Sequence, residues 1–190
     1  MRKLKQVASV KFSGVDKKSE EGETSVRLCN YTDVYYHDYV TPEMDFMEAT
    51  ATPTEVSTFT LRKGDILITK DSESWDDIAV SAYVTHDLEG VLCGYHLAQI
   101  RPLFILAVGN YIFRAFHARG INDQFRVAAN GITRFGIGKT AIDSSLFPVP
   151  PIPEQQTITD YLDRETSKLD ALILADSLMT WKNLIKSPVS

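Results

Sequence analysis

Lys70-Asp71-Ser72-Glu73-Ser74, with Asp76-Asp77 just beyond, is the densest run of reactive groups in this 190-residue chain. Its carboxylates and hydroxyls are hard oxygen donors of the kind a divalent cation takes. The D-x-[DN]-x-[DN]-G spacing of a calcium loop is absent, however. The same groups suit a DNA groove: Asp and Glu accept from cytosine N4, Ser bonds to several base edges, and Lys reaches guanine or phosphate. A solvated hairpin loop is the third reading. Gly138-Lys139-Thr140 invites comparison with a phosphate loop, but Walker A needs Gly five residues before Gly138, where this chain has Thr133. His37, His86, His96 and His117 lack zinc spacing with Cys29 and Cys93. No Ser-His-Asp or Cys-His pattern is readable. We therefore assign no catalytic residue, no metal ligand and no cofactor of its own to the chain. The candidate binding residues are Lys70, Asp71, Ser72, Ser74, Tyr95, His96, Arg134 and Lys139.

The totals bound these readings. One domain with an appendage fits the length, and the ordinary apolar fraction argues for a packed core. Two isolated cysteines fit a reducing compartment, and no apolar run approaches a membrane span, so a soluble cytoplasmic protein is expected. The net charge of −5 opposes nucleic-acid binding. Its distribution argues the other way: Arg101, Arg114, Arg119, Arg126, Arg134 and Lys139 face Asp123 alone between Gln99 and Lys139. That window is a footprint for phosphates, or a set of cations pairing with acids elsewhere in the fold.

The elements follow from pattern. Strands are expected at Val26–Cys29, Ile66–Thr69, Ile78–Val84 and Val91–Arg101, the last interrupted by Gly94-Tyr95-His96. Apolar spacing predicts a helix over Leu103–Ala118, with Gly109 weakening its middle. A shorter one over Gln124–Ala129 would be capped by Asn122 or Asp123, and another lies around Pro42–Ala49. Ile132–Thr140 reads as a loop or edge strand. Tyr31, Tyr35, Tyr36 and Tyr39 crowd a polar loop and form either a binding surface or a packed domain edge. Together these give an α/β (α+β) body with a small mixed or mostly antiparallel sheet and flanking helices.

Four prolines in six residues, Pro148 to Pro153, make a stiff arm, because each lacks an N–H and has a fixed φ. A helix free of Pro and Gly then runs from Glu154 to about Lys186. Ile158, Leu162, Leu169 and Leu172 form a coiled-coil-like seam. Leu174, Leu178, Trp181 and Ile185 lie on a second stripe. Two stripes on a projecting helix call for a partner.

FPVPPIPEQQTITDYLDRETSKLDALI resembles the conserved region of type I restriction–modification specificity subunits. VRLCNYTDVYY, LRKGDILITKDSE, DDIAV, VLCGYHLAQIRP and ANGITRFGIGKTAI resemble one class of their target-recognition domains. The resemblance implies a recognition domain (1–147), an arm (148–153) and a spacer helix (154–186). It implies double-stranded DNA as ligand and a modification subunit as partner, the latter bringing S-adenosylmethionine and the chemistry, with a restriction subunit as a further partner. A second recognition domain, normal in such a subunit, is missing. A half-subunit that homodimerises through the helix is the expectation. Two rivals stand beside it: a truncated regulatory subunit without productive DNA recognition, and an unrelated α/β enzyme with a helical dimerisation tail. A deep pocket joining Asp71, Glu73 or Asp77 to a histidine would favour the enzyme.

Overall fold

A computed structural model describes residues 1–186, with side chains described up to Ala175 in the final helix. The chain runs β1 (Arg2–Lys3), a 3-10 turn (Leu4–Gln6), β2 (Ala8–Phe12), β3 (Thr24–Cys29), α1 (Tyr31–Tyr35), β4 (Tyr39–Val40), β5 (Met47–Ala51), α2 (Pro53–Phe59) and β6 (Thr60–Leu61). It continues with β7 (Ile66–Thr69), β8 (Asp71–Ser72), β9 (Ser81–Val84), β10 (Leu88–Cys93), β11 (Leu97–Pro102), α3 (Gly109–Phe116) and α4 (Arg119–Ala128). β12 (Asn130–Gly131), β13 (Phe135–Gly136), α5 (Lys139–Ser144), β14 (Leu146–Phe147) and α6 (Ile152–Lys186) complete it.

Two sheets carry the body, in the orders β2-β11-β7-β9-β4 and β5-β3-β10-β6. Pairing is antiparallel except for β4/β9 and β3/β10. Successive strand residues face opposite sides, and β7 shows the consequence. Ile66 and Ile68 enter the core shared with α3, α4 and α5, whereas Leu67 enters the core against the second sheet. All three are fully buried. The mixed α/β expectation holds, with two stacked sheets rather than one.

Several boundaries differ from the sequence reading, each for a local reason. Residues 42–49 form no helix; β5 begins at Met47 and the helix is α2. Thr52 caps it, with Pro53 in its first turn and Glu55 closing a capping box. The four-tyrosine segment is partly helical, since Asn30 and Asp33 box the start of α1. The helix expected from Leu103 starts only at Gly109. That residue lies against the Gly64 turn, and a Cβ there would stand 2.3 Å from the Gly64 carbonyl oxygen. Asn122 and Asp123 do not cap α4; it starts at Arg119, so both lie inside it. Lys139 opens α5 rather than lying in a loop.

One buried carboxylate fixes the turn under α3. Asp65 is 1% exposed and accepts from the Arg62 N–H at 2.9 Å, from Gln99 at 2.9 Å and from Arg101 Nε and Nη2, both at 2.7 Å. Gly64, at φ +93, completes the turn in a conformation that L side chains rarely adopt. Gly109→Ala should force these backbones apart. We expect a loss of about 1–3 kcal/mol, read as a lowered urea midpoint in equilibrium unfolding.

Candidate nucleic-acid interface

Three loops meet at Lys70. Its N–H donates to the His96 carbonyl at 3.2 Å, and its own carbonyl accepts from the Ile137 N–H at 2.9 Å. β8 then pairs with β13, Asp71 opposite Gly136 and Ser72 opposite Phe135. The backbone ladder therefore brings residues 70–72, 94–96 and 134–137 side by side, although they are far apart in sequence. α1 joins them because the Gly94 N–H donates to the Cys29 carbonyl at 2.9 Å, just before the Asn30 cap. A Cβ at Gly94 would lie 2.8 Å from that carbonyl oxygen, so only glycine admits this approach.

The side chains have distinct roles in the resulting face. Asp71 accepts from His96 Nδ1 at 2.8 Å and from Arg134 Nε at 3.1 Å. A carboxylate only accepts, so His96 Nδ1 carries a proton, and in the neutral ring Nε2 would be the free acceptor. Lys70 lies 4.6 Å from the Tyr95 ring centre and 5.2 Å from that of Phe12, and donates to the Ser13 carbonyl. Burial lowers its pKa, against the opposing pull of Asp71. Lys70 thus packs its ammonium between the Tyr95 and Phe12 rings. Ser72 is buried and accepts from the Ser74 N–H, while the Ser74 hydroxyl donates to Asp76. Lys139 lines neither concavity described below; it pairs with Asp143 at 2.6 Å, one turn along α5.

Two concavities flank Tyr31. The first, about 290 Å³, is lined by Asp16, Lys17, Lys18, Asn30, Tyr31, Tyr95 and His96. The second, also about 290 Å³, takes in Tyr31, Tyr35, Tyr36, Glu73, Asp77 and Arg134. Tyr31 stacks on Tyr35 at 5.3 Å. The Tyr35 hydroxyl donates to Asp77, which pushes its pKa up to about 12. The tyrosine cluster was visible in the sequence as one of two readings; its place beside the 70–77 loop was not. Asp16, Lys17 and Lys18 carried no signal beyond membership of a polar loop.

Two further expectations meet the structure here. Each cation of the basic window has a carboxylate within 4 Å: Arg101 with Asp65, Arg114 with Asp163, Arg119 and Arg126 with Asp123, Arg134 with Asp71 and Lys139 with Asp143. The second reading of the window, cations set against acids elsewhere in the fold, is the one these contacts fit, although Arg119 remains 92% exposed. The Asp71–His96 contact meets half the condition set for an enzyme. Asp71 lines neither concavity, so the pocket half of that condition is not met. No group of three or more metal-ligating side chains occurs among the described residues.

The seam on α6 is divided. Ile158 packs against the body's own core and Leu162 is half-buried, whereas Leu169 and Leu172 are 58% and 66% exposed. Leu178, Trp181 and Ile185 lie outside the described side chains.

A mixed α/β body ending in one long helix is an arrangement shared with solved specificity subunits. The chain is similar to the HsdS subunit from Thermoanaerobacter tengcongensis, with TM-score 0.61 and 18% identity over 91% of this chain and 38% of that one. A chain from a structure of type I R-M system assembly and conformational transition matches with TM-score 0.65 and 19% identity, over 96% of this chain and 42% of that one. The type I S subunit from M. genitalium gives TM-score 0.53 and 14% identity, over 90% and 40%. The chain thus spans about two fifths of the length of these structures. No curated protein matches it significantly. The profile of the type I restriction modification DNA specificity domain matches residues 1–174, and the chain belongs to that family.

Asp71 sets the His96 tautomer, and Asp71→Ala should release it. Long-range ¹H–¹⁵N spectra should show the native ring protonated at Nδ1 and the variant shifted toward the Nε2–H form; an unchanged tautomer would remove Asp71 from this role.

Proposed function

We propose that this chain is a sequence-specific DNA-reading half-subunit, with the face around Asp71 as its reader. The observation that supports this is the placing of Tyr95 and His96 in one concavity and of Ser74, Asp77 and Arg134 in a second, the two sharing Tyr31, in a chain of the DNA specificity family. His96 and Arg134 are held side by side by one carboxylate. Arg suits guanine O6 and N7, and the neutral imidazole Nε2 accepts from an amino group. Glu73 and Asp77 would repel phosphates, so they belong in the groove, opposite cytosine or adenine amino groups. Aromatic rings add contact area without charge.

The chemistry belongs to a separate modification subunit carrying S-adenosylmethionine, and cleavage, where the system retains it, to a restriction subunit. This chain lends them the address in the cytoplasm, where the DNA is. Two copies join through the exposed part of α6, and a two-fold pair reads an inverted repeat of one half-site. A second reading, a regulatory subunit that occupies the modification partner without productive DNA recognition, is favoured by one observation. Every cation in the basic window is already paired, which leaves little to attract phosphates.

Binding by the complex reconstituted with its modification subunit separates the two. Arg134→Ala should weaken binding to the specific duplex by about 1–3 kcal/mol and relax preference at one position. Equal affinity of the native complex for all sequences would decide for the regulatory reading. Light scattering tests the pairing: Leu169→Asp with Leu172→Asp should convert a dimer into a folded monomer.

A further inference from the structure

The first turns of α6 are not a free linker. Gln155 is fully buried; its side-chain Oε1 accepts from the Val108 N–H at 2.9 Å, and its Nε2 donates to the Leu106 and Pro150 carbonyls at 3.0 and 2.8 Å. Two turns on, Asp163 accepts from Arg114 Nε at 2.9 Å, from Arg114 Nη2 at 2.6 Å and from the Asn110 amide at 2.8 Å. The same Nη2 donates to the Tyr39 hydroxyl at 2.9 Å. Tyr39 belongs to β4 of the five-stranded sheet, so one guanidinium ties sheet, α3 and α6 together. The Thr166 hydroxyl also accepts from this Nη2, at 3.4 Å.

Past Asp163 the helix continues to Lys186, about 35 Å at roughly 1.5 Å per residue. A rod of that length amplifies small rotations at a clamp. A tilt of about 10° at the clamp moves the far end by roughly 6 Å, close to two steps of about 3.4 Å along a DNA strand. Apolar packing alone allows such tilts, whereas a fork of charged hydrogen bonds has fixed directions.

We propose that the Arg114–Asp163 fork, with Asn110 on the same carboxylate, is a specificity-determining positioning device. It fixes the angle at which α6 leaves the body, and through that angle the distance between half-sites that a paired assembly accepts. The inference rests on the DNA-reading half-subunit proposed above. Asp71, His96 and Arg134 would read the bases, and Arg114 and Asp163 would set how far apart two readers stand.

The test uses Asp163→Asn and Arg114→Lys in the assembled complex, with duplexes carrying two inverted half-sites whose separation varies one base pair at a time. Gln155 and Ile158 still dock the helix in both variants, and melting temperature checks folding. The native complex should favour one separation, losing at least about tenfold in affinity when it changes by two base pairs. Asp163→Asn should flatten that profile to within about threefold while keeping the preferred half-site sequence, and Arg114→Lys, which keeps the charge without the fork, should flatten it less. A variant profile as sharp as the native one overturns the inference. So does equal loss of binding at every separation by a folded variant, which would make Asp163 a contact or assembly residue. Failure of the native complex to prefer any sequence overturns the DNA-reading proposal itself, and is seen before any variant is compared.

Discussion

Asp65 is the constraint on which the rest of the architecture depends. A carboxylate 1% exposed is stable only when its oxygens are matched by donors, and here the Arg101 fork, Gln99 and a turn N–H supply them. That network locks the Lys-Gly-Asp turn onto β11. The locked turn sets the position of Gly64, whose backbone is the floor on which Gly109 rests. Gly109 starts α3, and α3 carries Arg114 and Asn110 to α6. The direction of the long helix is therefore traceable, contact by contact, to one buried acid in the sheet. Removing one partner of such a network strands a buried charge, at a cost of about 3–5 kcal/mol.

A second carboxylate organises the candidate interface on different terms. Asp71 is partly open to solvent, and its two nitrogen partners differ: Arg134 is permanently charged, whereas a histidine is charged only when protonated. Such an arrangement contributes little stability and much geometry, because it holds two side chains at a fixed mutual orientation. The surrounding charges nearly cancel, with Lys17, Lys18 and Arg134 set against Asp16, Glu73 and Asp77. A balanced surface attracts a polyanion weakly from a distance and discriminates at contact. Discrimination without strong long-range attraction suits a component whose affinity is completed by partners.

The parts of the fold that sequence reveals are those encoded locally. The Ile66-Leu67-Ile68 strand, the Gly94-Tyr95-His96 break and the proline-led helix each carry their own signal, and each forms where expected, within the usual drift of boundaries. Local signals were also present where the reading failed: Thr52-Pro53-Thr54-Glu55 is a capping box, yet the helix was placed upstream of it. The start of α3 was not readable, because Gly109 is chosen by Gly64, a residue 45 positions away. The site follows the same division. Residue types suited to base contact could be picked out, but their surroundings could not: Lys70 lies against the Tyr95 ring, Ser72 is buried in the wall of the second concavity, and Lys139 pairs with Asp143. Tyr31 became central only when Gly94 brought its helix beside Tyr95.

The final helix shows why one continuous element can serve two surfaces. A straight helix drifts about 20° per heptad against a 3.5-residue repeat, so a seam that starts on the body cannot stay on it. Ile158 and Thr159 face inward, Asp163 and Thr166 meet Arg114 at the edge, and Leu169 and Leu172 have left the surface. The polar clamp sits where the apolar contact runs out. Apolar side chains alone would tolerate a slip or tilt at that edge, because hydrophobic burial has no preferred direction. A carboxylate held by three N–H donors does have one. The change from apolar to charged contact along a single helix is therefore also a change of task, from attaching the rod to aiming it.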